Sequence, residues 1–96
     1  MKQNEKLLHN MKELDKQKLP KWFNGELYDK GAEVRNRFSG DKCQLNNVEL
    51  SMYDFITGTQ LCFEMGMQSE KMISDFQKAL RWFRKHNAEA YMILLD

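Results

Sequence analysis

Apolar positions change period along this 96-residue chain, and each change marks an element. Leu7, Leu8, Met11 and Leu14 recur at helical spacing between Asn4 and Lys18, with lysines and acids between them and Pro20 closing the run. This predicts an amphipathic helix within residues 1–19 that carries only a thin apolar stripe. Short isolated helices hold poorly in water, so it must dock on its own domain or on a second copy. From Leu19 to Gly31 the periodicity breaks. Trp22, Phe23, Leu27 and Tyr28 mix there with two glycines, which reads as a turn-rich connection with anchoring aromatics, a short helix from Pro20 being the alternative.

Residues 32–45 read as a β-hairpin. Ser39-Gly40-Asp41-Lys42 places glycine first in a two-residue loop, where a type II′ turn needs positive φ. Phe38 then pairs with Cys43 and Asn36 with Leu45. In that register Val34, Asn36, Phe38, Cys43 and Leu45 share one face, while Arg35, Arg37 and Gln44 take the other. Two short strands are not stable alone, so a helix should cover the apolar face.

Residues 47–95 supply the helical core. Asn46 followed three residues later by Glu49 forms a capping-box pattern before an apolar run, predicting a helix from Asn47 to Met65. Its apolar residues cover more than one stripe, which marks it as the central helix. Gly58 in its interior suggests a bend or a close backbone approach, and Gly66 a left-handed stop. Ser69 caps the next helix, whose stripe runs through Met72, Ile73, Phe76, Ala79, Leu80 and Phe83. Asn87 closes it and opens a short apolar element ending in Ile93, Leu94 and Leu95, a composition that exposed tails avoid. The fold class is mainly α with a small β-hairpin (α+β), one domain over residues 1–96 arranged around one long central helix.

Composition narrows the functions. Fifteen basic and fourteen acidic residues leave a net charge of +1 with no block of one sign, so no whole-molecule field draws in nucleic acid or an anionic membrane. No apolar run approaches the roughly 20 residues that cross a bilayer, and the first residues lack the features of a secretory signal; a cytoplasmic location is expected. Cys43 and Cys62 are too few for a disulfide framework or a zinc site, and both should be reduced.

The candidate chemistry is sparse. His9 and His86 are distant in sequence and have nothing beyond weak pairs such as His9 with Glu13 at metal-ligand spacing, so no metal and no cofactor is expected. Glycines are scattered singly, which gives no phosphate-cradling loop, and no nucleophile elbow occurs. Asp54, between Tyr53 and Phe55, reads as a helix-surface acid or a partner for Arg35, Arg37 or Tyr28; an enzyme built on Tyr53, Asp54 or Cys62 would need an enclosed pocket joining them. Two basic groups, Arg35, Arg37 and Lys42 on the hairpin and Arg81, Arg84 and Lys85 with Trp82 and His86 at a helix end, have the composition of phosphate contacts, though cations at a helix C-terminus are equally stabilising.

Across residues 26–60, Tyr28 and Gly31 lead into Val34-x-Asn36-x-Phe38-Ser39-Gly40. Leu45-Asn46-x-x-Glu49-Leu50-Ser51-x-Tyr53-Asp54-Phe55-Ile56-x-Gly58 follows. This pattern resembles small uncharacterised proteins encoded by phages of marine cyanobacteria and related ocean viruses. The resemblance brings no catalytic residue; it implies a viral accessory protein acting in a bacterial cytoplasm. Together these readings predict a non-enzymatic interaction module, active as a homodimer, that contacts a phage or host protein. Leu7, Met11, Leu14, Tyr91, Ile93 and Leu94 are the expected oligomer contacts. The alternative is a small nucleic-acid-binding protein using the two basic groups.

Overall fold

The computed structural model describes residues 17–96, so Leu7, Met11, Leu14 and the body of the first amphipathic run lie outside the described residues. Gln17 to Pro20, at the run's end, are irregular rather than helical. Two strands follow, β1 (Ala32–Arg35) and β2 (Lys42–Leu45), and then three helices, α1 (Asn47–Glu64), α2 (Glu70–His86) and α3 (Ala88–Leu94). The described residues form an α+β unit with one antiparallel hairpin.

Local chemistry sets the helix ends. Asn46 Oδ1 accepts from the Glu49 amide (2.8 Å) while Glu49 Oε1 accepts from the Asn46 amide (3.0 Å), which completes the capping box at the start of α1. At its other end Gly66 has φ +84°, the Gly66 amide bonds Phe63 O and the Met67 amide bonds Cys62 O, a Schellman closure. Ser69 Oγ caps α2 through the Met72 amide. Asn87 serves twice, its backbone closing α2 on Phe83 O and its side chain capping α3 through Ala90.

The hairpin departs from the expected register. Val34 pairs with Cys43 and Ala32 with Leu45, four residues away from the pairing predicted for the first strand. The loop is therefore not the two-residue turn but Arg37–Gly40, closed by the Asn36 amide on Asp41 O (2.8 Å). Asn36 Oδ1 accepts from the amides of Phe38 (2.8 Å) and Ser39 (3.1 Å), an Asx-type turn that bends the chain three residues before Gly40. Gly40, at φ +80°, ends that bend rather than opening it. Because the shift is even, Val34, Cys43 and Leu45 keep their common face, whereas Asn36 and Phe38 leave the strand altogether.

The core is Leu45, Met52, Ile56, Ala79, Phe83, Ala90 and Leu94, contributed by β2 and all three helices. Each large apolar side chain buried here is worth about 1.5–3 kcal/mol. The irregular segment is fastened on top by aromatic contacts, with the Trp22 and Phe23 rings 5.9 and 5.5 Å from Phe55. Gly58 corrects the sequence expectation: nothing lies within 4 Å of where its Cβ would be, so no neighbour approaches there. No helix among the described residues is long and apolar enough to cross a membrane.

Candidate functional site

Two clefts and one buried polar network gather the chemistry-bearing side chains. The larger cleft is a groove of about 630 Å³ running along the outer face of α1. Tyr53, Asp54, Thr57, Gly58, Leu61 and Glu64 recur at three- and four-residue steps and so form one ridge pair along that helix. Asn36, Arg37 and Phe38 of the hairpin loop make one wall, and Leu94 to Asp96 another. Asn36 Nδ2 donates to Ile93 O at 2.7 Å, which ties the loop to the end of α3 and holds these two walls together.

Phe38 is the unusual residue of this groove. The amides of residues 38 and 39 are fixed by Asn36, yet the Phe38 ring is 95% exposed. Leu61, on the same groove, is 57% exposed. A large aromatic held on a fixed loop and left in water forfeits the free energy its burial would release. The charged lining is mostly acidic, with Asp54, Glu64 and Asp96 against Arg37 alone. Asp54 is exposed; desolvation, followed by the charges of Asp54 and Glu26, holds the Tyr28 phenol above its usual value. Tyr53 is half-buried against Phe83, and burial pushes its phenol up while Arg37 pulls it the other way.

The second cleft, about 330 Å³, lies between α2 and α3 and is lined by Gln77, Leu80, Arg81, Arg84 and Tyr91. The structure thus divides the basic residues that the sequence groups together. Arg81 and Arg84 share this cleft, Arg37 stands in the acidic groove, and Lys42 lies 3.7 Å from Glu33 across the hairpin. Arg35 reaches along the loop toward Gly40, and Lys85 is exposed at the end of α2, outside the linings of both clefts. Of the expected oligomer contacts, Leu94 is only 9% exposed and is spent in the chain's own core, while Tyr91 and Ile93 are half-buried.

The buried network was not legible from spacing. Glu49 is 5% exposed, and its Oε2 accepts from Gln17 Nε2 (2.9 Å) and Asn87 Nδ2 (3.0 Å) while Oε1 takes the Asn46 amide. Gln17 Oε1 accepts in turn from Asn46 Nδ2, and Gln17 Nε2 also reaches His86 O. The carboxylate is thereby satisfied on both oxygens, which suits a structural joint between the segment before β1, the start of α1 and the α2–α3 junction. Only the capping-box half of this arrangement has a local signal.

The cysteines are both free, and Cys62 is not among the residues lining the groove that holds Tyr53 and Asp54. Burial, and behind it Glu89 and Glu49, raises the Cys43 thiol above its usual value, which makes it a poorer nucleophile. Among the described residues no three His, Cys, Asp or Glu side chains converge as a metal site. Comparison of the chain with family models, with curated proteins and with solved structures produced no match.

Proposed function

We propose that this chain is a non-enzymatic interaction module, and that the groove between the hairpin loop, α1 and the end of α3 takes a segment of a partner protein bearing apolar anchors and basic residues. The observation that carries this reading is the Phe38 ring, fully presented on a braced loop beside exposed Leu61. Exposed aromatics in a concave, otherwise ordered surface are the usual anchors of protein interfaces, where a few residues supply most of the affinity. Three carboxylates against one guanidinium favour a partner of opposite sign. A second copy of the chain, with a net charge of only +1, offers no general complement to them. The phage resemblance of residues 26–60 supports an accessory role of this kind in an infected bacterial cell, with a phage or host protein as partner.

The nucleic-acid reading needs basic side chains along one path. The groove acids repel phosphate, and Lys42 already faces Glu33, so the hairpin group suits that role poorly.

The test is selection from a random peptide library against the whole chain, followed by affinity measurement on the enriched peptides. Enriched peptides should pair Lys or Arg with large apolar residues, and Phe38→Ala should weaken them about 30-fold, the scale of an interface anchor. Gly58→Gln, which puts a side chain into open groove space without touching the core, should block them as well. Acidic consensus peptides, or binding indifferent to both substitutions, would overturn the reading. So would a dimer in light scattering that Phe38→Ala dissociates, since the occupant would then be a second copy.

A further inference from the structure

The cleft between α2 and α3 has a different chemistry from the groove and is independent of it. Gln77, Leu80, Arg81 and Arg84 lie at steps of three and four residues, so they form two neighbouring ridges on one face of α2, with Tyr91 of α3 as the facing wall. Arg81 and Arg84 sit three residues apart and repel one another, a placement that costs a helix stability unless a negative charge lies between them. No carboxylate within the described residues is paired with either. Asp75 is bound to Lys71 at 2.7 Å, and Glu89 acts on Cys43 of the hairpin, two residues from Tyr91 and so on another side of α3. Arg84 fits the usual preference for cations in a last turn, but Arg81 stands further back.

The geometry points to a binding site for a phosphate monoester that carries a flat ring, of mononucleotide size. Two guanidinium forks match a dianionic phosphate with three terminal oxygens better than a carboxylate, which one fork saturates. The Tyr91 ring and Leu80 provide an apolar, partly buried wall against which a planar group can lie, and the Gln77 amide adds one polar contact at the rim. A volume of about 330 Å³ is enough for one such molecule.

The experiment is a titration of the whole chain followed by NMR of the arginine Nε–H groups and the Tyr91 ring. Its probes are adenosine monophosphate, phenyl phosphate, ribose 5-phosphate, inorganic phosphate and adenosine. Either ring-bearing ester, or both, should shift Arg81, Arg84 and Tyr91 signals and bind about tenfold or more tightly than ribose 5-phosphate, the scale of one stacking contact. Which of the two binds tighter identifies the ring as a nucleobase or a simple aryl group. Tyr91→Leu should erase the preference for a ring while leaving phosphate binding, and the double substitution Arg81→Gln, Arg84→Gln should abolish both. Both arginines are exposed, so that variant keeps its fold, which an unchanged amide spectrum verifies. Equal binding of ring-bearing and ring-free esters, shifts that survive loss of both arginines, or no shift at roughly 10 mM probe would overturn the assignment.

Discussion

Replacing Glu49 with alanine removes the acceptor for three donors at once: the Asn46 amide and the side-chain amides of Gln17 and Asn87. A hydrogen bond to a charged acceptor contributes about 1.5–3 kcal/mol, and a buried donor left without a partner costs a similar amount. The full threefold sum is not reached, because Gln17 keeps the His86 carbonyl at 3.3 Å and Asn46 is half-buried. About 3 kcal/mol of destabilisation is expected, a large share of the roughly 5–15 kcal/mol that holds a small domain. In a domain of this size each kcal/mol moves Tm by about 4–8 °C, so Glu49→Ala should melt roughly 12–24 °C lower. Urea unfolding followed by tryptophan fluorescence reports the same loss through Trp22 and Trp82. Glu49→Gln keeps one acceptor oxygen and should fall midway. Combined with Asn87→Ala, the two losses should be clearly less than additive, with a coupling of about 1 kcal/mol. A shift below about 0.5 kcal/mol for Glu49→Ala, or strict additivity with Asn87→Ala, would refute the view that this carboxylate joins the three segments.

Three other outcomes follow from the geometry. Gly58→Ala should stabilise the chain by about 0.5–1 kcal/mol in a thermal melt, because glycine is unfavourable inside a helix and the added methyl meets nothing. Gly31→Ala should destabilise by more than about 2 kcal/mol in urea, since its Cβ would run into the Leu45 carbonyl and lie 2.9 Å from Asn46 Cα, both backbone. Burial raises the Tyr53 phenol above its ordinary value of 10.0, so on raising the pH the unfolded chain releases this proton first. The stability it contributes is complete below pH 10 and is lost as pH rises through the folded value, and Tyr53→Phe should flatten that decline in urea midpoints.

The parts of this protein readable in its sequence are those decided within about four residues. Asn46 with Glu49, Ser69, Gly66 and Asn87 mark helix ends because a cap satisfies backbone groups one turn away, and the 3.6-residue period carries α2 between its caps. The hairpin was legible as a hairpin, and the common face of Val34, Cys43 and Leu45 followed from parity alone. Its register was not: Asn36 and Gly40 each offer a local turn, and the Asn36 side-chain Nδ2 donates to the carbonyl of Ile93, 57 residues away. That contact moved Phe38 from an expected core position to the rim of a groove. The same limit hid Gln17, whose partners lie 29, 32 and 69 residues along the chain, and dispersed the hairpin group, Arg37 standing in the acidic groove while Lys42 faces Glu33. Capping and periodicity act over one helical turn, where the chain itself supplies the proximity. A cleft or a buried carboxylate needs distant segments side by side, and only the packing of β2 and the three helices around Leu45, Met52 and Phe83 brings them there.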